Sequence, residues 1–225
     1  MRLVIRVGGS VVASPFNPSL LNAYAELLLN LKEQGHMAAA VVGGGSLSRE
    51  LIRTAKTMSL NEAAQDEVAI SVSRLTAQLI ALKLGKQGAK TVPTNVEDAA
   101  QLVKQGRIVV MGGLKPGMTT DTVAALIAEK IHADLLVKAT DVEGVFDKDP
   151  KKHRDARKFD NLRYDELPKI FEKKRHEAGI HQVIDPEAIR ILKKAHVKTV
   201  VVNGFKPENV LAAVKGKKVG TVISN

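Results

Sequence analysis

Two kinds of apolar pattern take turns along this chain from one end to the other. Residues 2–7, 37–42, 108–111, 135–139, 199–202 and 221–223 are short, nearly continuous apolar runs of strand length. Between them, apolar positions recur every three or four residues. Leu20, Leu21, Tyr24, Leu27, Leu28 and Leu31 share one helical face, and Gly35 stands where that helix should end. The same spacing predicts helices over 47–55, 61–84, 95–105, 165–174, 186–196 and 207–215. Another follows residue 121, with Val123, Leu126, Ile127 and Ile131 on its buried face. Thr94 and Glu97 have capping-box spacing at the start of the 95–105 segment.

Apolar strands alternating with amphipathic helices predict an α/β protein, with a mainly parallel sheet and helices on both faces. Residues 147–161 are polar and basic and include Pro150, which predicts a surface excursion. No Pro/Ser-rich linker or internal repeat interrupts the pattern. The simplest division is one domain, 1–225, with two subregions meeting near residue 133.

Three of the predicted strands end in glycine: Gly8-Gly9-Ser10, Gly43-Gly44-Gly45 and Gly112-Gly113. Glycine there lets backbone N–H groups come close to a bulky anion. One such loop is an ordinary β-to-α turn. Three at strand C-termini point to a ligand with several phosphates lying across one edge of the sheet.

Composition narrows the chemistry. The chain has no cysteine, which excludes disulfides and cysteine-ligated metals. Its six histidines are scattered, and His176 and His181 lack the i, i+4 spacing of a helical zinc pair. No apolar stretch reads as a membrane span and Met1 leads straight into a strand, which predicts a cytoplasmic protein. The net charge of +10 attracts phosphates of any kind, but aromatic residues make up only 3% and tryptophan is absent. Stacking platforms for single-stranded nucleic acid are therefore scarce, and small anionic substrates fit at least as well. A P-loop is excluded because Gly85-Lys86 is followed by Gln87, and the dinucleotide fingerprint breaks at Ser48. Phosphates must be held by separate loops brought together in space.

Four motifs occur in order along the chain: Val7-Gly8-Gly9-Ser10; Val42-Gly43-Gly44-Gly45 with Arg49; Pro116-Gly117-Met118-Thr119-Thr120-Asp121; and Thr140-Asp141-Val142-Glu143-Gly144-Val145-Phe146 with Asp149-Pro150. This set resembles the amino acid kinase superfamily and, within it, the short archaeal uridylate kinases. The resemblance implies a three-layer α/β/α sandwich, a homohexamer, and transfer of the γ-phosphoryl group of ATP to UMP with Mg²⁺ accompanying the nucleotide. It also implies an acceptor lobe at about 1–132 and an ATP lobe at about 133–225.

Residue by residue, Gly8, Gly9 and Ser10 would give backbone and hydroxyl donors to the ATP phosphates. Gly45 and Arg49 would face ATP, and Gly44 would face UMP. Asp66 would hold UMP, while Leu114, Lys115, Pro116, Gly117, Met118, Thr119 and Thr120 would wrap the uridine and its phosphate. Thr119 and Thr120 are equally good helix N-caps. Thr140, Phe146 and Asp149 match the adenosine side. No residue is assigned as a metal ligand.

Near the reaction centre, the task of Asp121 would be to position cations, since a carboxylate repels phosphate; an acid at a helix N-terminus is the ordinary alternative. Relatives usually carry a catalytic lysine where Arg6 stands, and Lys138 matches a lysine of bacterial uridylate kinases. Arg190 is a third basic candidate. Other readings are a different phosphotransferase of the superfamily, such as isopentenyl phosphate kinase, or a non-catalytic nucleotide-binding module. The first should show a histidine in its glycine-rich loop, and residues 43–50 contain none.

Overall fold

The structure is a computed structural model that describes residues 1–173 and 183–225. The strands within them are β1 (Arg2–Val7), β2 (Met37–Val42), β3 (Val109–Met111), β4 (Leu135–Thr140), β5 (Asn161–Arg163), β6 (Lys198–Asn203) and β7 (Thr221–Ser224). They form one sheet in the order β3-β2-β1-β4-β6-β7-β5. The block from β3 to β6 is parallel, β7 runs antiparallel to β6, and β5 runs parallel to β7. After β1 the chain builds outward through β2 and β3, then crosses back to place β4 on the other side of β1. That reversal of strand order is where open α/β sheets form a ligand crevice.

The helices are α1 (Gly9–Val12), α2 (Pro18–Glu33), α3 (Gly45–Thr57), α4 (Glu62–Leu84), α5 (Val96–Lys104), α6 (Thr120–Lys130), α7 (Glu166–Lys173), α8 (Pro186–Lys194) and α9 (Glu208–Val214). The two-residue period of the strands sends their side chains into two separate cores. Leu3, Ile5 and Val7 of β1 pack with Val137 of β4, Leu28 and Leu31 of α2, and Ile80 of α4. Val4 and Leu136 face the other layer, with Val123 and Ile127 of α6 and Leu192 of α8. This is the expected α/β/α arrangement.

Three local readings change. The cap of α5 is Asn95 rather than Thr94: its side chain accepts the Asp98 N–H at 2.8 Å, one residue later than the capping-box spacing suggests. The excursion after residue 147 ends in β5, a three-residue strand too short to show a period. Residue 174 of the predicted 165–174 helix, with His176 and His181, lies outside the described residues.

Helix α4 corrects the membrane reading. By length and composition, residues 62–87 include a window long and apolar enough to span a bilayer. Val72, Ala77 and Ile80 are buried against the sheet, while Leu75, Leu79 and Leu82 lie on an exposed stripe, 49%, 44% and 69% accessible. Apolar residues on both faces of one helix produce the signal.

Candidate active site

In the parallel register of β1 and β4, Arg6 lies directly opposite Lys138. Both side chains project to the face covered by α6, because Val4 and Leu136, two residues earlier on each strand, belong to that core. Asp121, in the first turn of α6, comes down between them. Arg6 Nε stands 2.6 Å from Asp121 Oδ1, off the line of a good hydrogen bond, while Lys138 Nζ donates to Asp121 Oδ2. The second arm of Arg6 donates to Thr120 Oγ1 at 2.9 Å.

The triad carries two positive charges and one negative, with Lys138 buried and Arg6 and Asp121 mostly so at the cleft floor. Burial alone would push the Asp121 carboxyl up, but Arg6 and Lys138 outweigh it and hold the group below its ordinary range. Burial pushes Lys138 down to about 8 against the pull of Asp121, with Arg6 adding to the drop. Asp121 thus sits between two cations and leaves one net positive charge beside the cleft.

Around the triad opens a cleft of about 900 Å³. On one side it is lined by Gly9, Ser10, Gly44, Gly45 and Arg49. The first two glycine bends touch backbone to backbone: a Cβ on Gly9 would lie 2.3 Å from Gly45 N and 2.9 Å from Gly43 C. Gly45 adopts φ +66°, and a Cβ there would meet Ala13 O at 1.9 Å. Glycine is required at both positions. Arg49 donates to Ser14 Oγ at 3.2 Å, which steadies it at the cleft edge.

Asp66, Lys115, Met118, Thr119 and Thr120 line a second side. Asp66 Oδ2 accepts the Gly117 N–H at 2.7 Å. Thr119 caps α6, accepting the Thr122 N–H at 3.1 Å, so the cap reading and a place in the cleft both hold for it. Thr140, Phe146 and Asp149 line a third side, together with Asp141 and Lys151, which form an ion pair. Among the described residues no group of three or more His, Asp or Glu is arranged to hold a metal.

Gly8, Leu114, Pro116 and Gly117 lie outside the lining of the cleft. The Gly8 N–H is taken by Ala139 O at 2.8 Å, where it joins β1 to β4. The Leu114 side chain packs on the core beneath. Arg190 is bound to Glu187 on the exposed face of α8. The third glycine pair meets the expectation only in part. A Cβ on Gly112 would strike Arg74 N at 2.5 Å, and the Gly113 N–H is taken by Ser73 Oγ at 2.8 Å. Gly112 lets α4 press against the end of β3, while Gly113 lines the cleft with its N–H already committed to Ser73.

Sequence reasoning missed how α4 holds the 113–117 loop. Arg74 Nε donates to Gly113 O at 3.0 Å and its Nη2 to Leu114 O at 2.9 Å, two turns along the helix from Asp66. The eight-residue separation of Asp66 and Arg74 on one helix was the available signal.

The profile of the amino acid kinase family matches residues 1–203. The chain is 37% identical over 223 residues to the uridylate kinase of Methanothermobacter thermautotrophicus, with 99% of each chain covered. It is 42% identical over 226 residues to that of Methanococcus maripaludis strain C5, with both covered completely. The crystal structure of the Archaeoglobus fulgidus uridylate kinase superposes over the full length of both chains with a TM-score of 0.89 at 39% identity. The UMP kinase of Bacillus anthracis, 21% identical with a TM-score of 0.82, shares the fold, covering 99% of this chain and 95% of its own. The chain belongs to the amino acid kinase family.

Proposed function

We propose that this protein is a cytoplasmic UMP kinase, transferring the γ-phosphoryl group of ATP to UMP to give UDP and ADP in pyrimidine nucleotide biosynthesis. The observation that carries the reading is the cleft itself: two interlocked glycine bends, a threonine-rich acceptor loop and a buried Arg6–Asp121–Lys138 triad meet around one space. The full-length likeness to uridylate kinases supports UMP as the acceptor.

Phosphoryl transfer needs positioning and positive charge around the moving group, and little covalent chemistry. ATP would lie along Gly9, Ser10, Gly45 and Arg49, with its adenosine toward Thr140, Phe146 and Asp149. UMP would lie along Gly44, Asp66 and residues 115–120. On this reading the acceptor side belongs mainly to about 1–132 and the donor side to about 133–225. Arg6 and Lys138, held apart by Asp121, would bracket the phosphoryl group as it passes between nucleotides. The UMP phosphate is already anionic, so no general base is needed. Mg²⁺ arriving on the ATP phosphates would neutralise their charge, which suits a cation that keeps several waters and binds through substrate oxygens.

The protein would act as a homohexamer. The exposed Leu75, Leu79 and Leu82 stripe of α4, with Met58 and Leu60 also exposed nearby in sequence, is apolar surface suited to a second copy of the chain. Coupled ADP release measured over several acceptors tests the function. UMP-dependent release with equal UDP is expected; release with acetylglutamate or carbamate but not UMP would overturn the reading.

A further inference from the structure

Asp185 lies at the N-cap of α8, outside the lining of the cleft, and the transfer described above does not use it. Capping needs a single oxygen, and Oδ1 meets that need by accepting the Ala188 N–H at 2.9 Å. The carboxylate does more than this. Oδ2 accepts from Thr119 Oγ1 at 2.5 Å, and Oδ1 also accepts from Thr122 Oγ1 at 3.0 Å. One group thus ties the start of α8 to the first turn of α6.

What it holds there is the junction between the 115–119 loop and α6. Thr119 belongs to the acceptor loop and caps α6, and Asp121, two residues on, is the anion that spaces Arg6 and Lys138. The Asp185 backbone also helps to hold the Asp121 carboxyl below its ordinary range, after the larger effects of Arg6 and Lys138. The charged groups gathered at this point are Arg6 from β1, Lys138 from β4, Asp121 from α6 and Asp185 itself.

We propose that Asp185 is a positioning residue for phosphoryl transfer: through Thr119 and Thr122 it fixes the first turn of α6, so that the acceptor loop and Asp121 stay in register with Arg6 and Lys138. This rests on the kinase reading of the cleft. A carboxylate suits the task because it can accept all three hydrogen bonds at once. It also adds a negative charge that favours the protonated form of Lys138.

The test is steady-state kinetics of the full chain with ATP, Mg²⁺ and UMP, across pH, for wild type, Asp185→Asn and Thr122→Val, with melting temperatures alongside. Asparagine keeps the cap to Ala188 but loses the charge and one acceptor oxygen. Asp185→Asn should melt close to wild type and lose at least about tenfold in kcat, as when a residue orienting a catalytic group is removed. Its alkaline loss of activity should move to lower pH, a shift that a purely structural cap would not cause. Thr122→Val keeps the charge and loses one hydrogen bond. A change of about threefold in kcat or in KM for UMP is expected, with the alkaline limb unmoved. Wild-type kcat, KM and pH profile in a folded Asp185→Asn overturn the proposal. Should that variant not fold, wild-type kinetics in Thr122→Val overturn it instead. An inactive wild-type chain would remove the kinase reading and this inference together, whereas an active wild type with an indifferent Asp185→Asn removes only the inference.

Discussion

Gly117 donates its backbone N–H to the carboxylate of Asp66 across 2.7 Å, joining the acceptor loop to a helix fifty-one residues earlier in the chain. Together with Arg74 on the carbonyls of Gly113 and Leu114, it makes α4 the frame for the 113–117 loop, which on the proposed reading carries the UMP side of the cleft. Asp66→Ala removes both the loop tether and a carboxylate of the cleft lining that the proposed reading turns toward UMP. KM for UMP should rise about tenfold or more, the loss expected for a hydrogen bond to a charged group, while KM for ATP changes little. Equal effects on both substrates would place Asp66 outside the acceptor side.

Removing the anion of the triad should cost more than removing one cation. Asp121→Asn leaves Arg6 and Lys138 buried against each other, and breaking a buried pair this way costs about 3–5 kcal/mol. Lys138→Met leaves Asp121 paired with Arg6 and should be milder in stability. Both should lower kcat by at least about a hundredfold, since each disturbs charge aimed at the transition state. Denaturant titration beside kinetics separates the two effects.

The triad also predicts a pH dependence in which activity and stability part company. Burial lowers Lys138 to about 8, so kcat should fall as pH rises through that value and the cation is lost. The unfolded chain holds this proton up to about 10.5, and between the two values the unfolded state binds more protons. The contribution of Lys138 to stability therefore rises with pH across the window. Activity should decline above about pH 8 without a parallel drop in melting temperature attributable to this group, and Lys138→Met should lack that limb.

Glycines in and beside the cleft should differ sharply in tolerance. Gly9→Ala drives a methyl into the backbone of Gly43 and Gly45 and should abolish activity and destabilise the fold. Gly117→Ala meets nothing within 4 Å and suffers only from its φ of +74°, a cost of about 1 kcal/mol. Thermal melts and kinetics of the two variants check the contrast.

The apolar stripe of α4 predicts that Leu79→Glu with Leu82→Glu yields a smaller species in sedimentation. Each chain should remain folded, because both side chains point away from the buried face. An unchanged sedimentation coefficient would locate the assembly surface elsewhere.

Much of this design is legible in the sequence because the period of the strands is strict. Alternation along β1 places Arg6 on one face, and the glycine bends mark the strand ends. The partner of Arg6 is a different matter: only strand order and register set Lys138 beside it, and register has no local signature. Asp121 reads equally as a helix-end acid until β1 and β4 are paired beneath it. Gly112-Gly113 resembles the other glycine bends in sequence, yet α4 packs on Gly112 and takes the Gly113 N–H, a contact formed across forty residues. Asp185 stayed hidden for a similar reason. A good cap residue before Pro186 is complete as a local explanation, and its hydroxyl partners lie more than sixty residues away.

The central claim is that donor and acceptor nucleotides occupy one continuous cleft, end to end across the Arg6–Asp121–Lys138 triad. It is tested most directly with a dinucleotide in which adenosine and uridine are joined through a chain of five phosphates, used as an inhibitor of the full-length protein. Inhibition competitive against both ATP and UMP, at one molecule per chain, is the predicted result. Competition with one nucleotide while the other still binds would contradict the account.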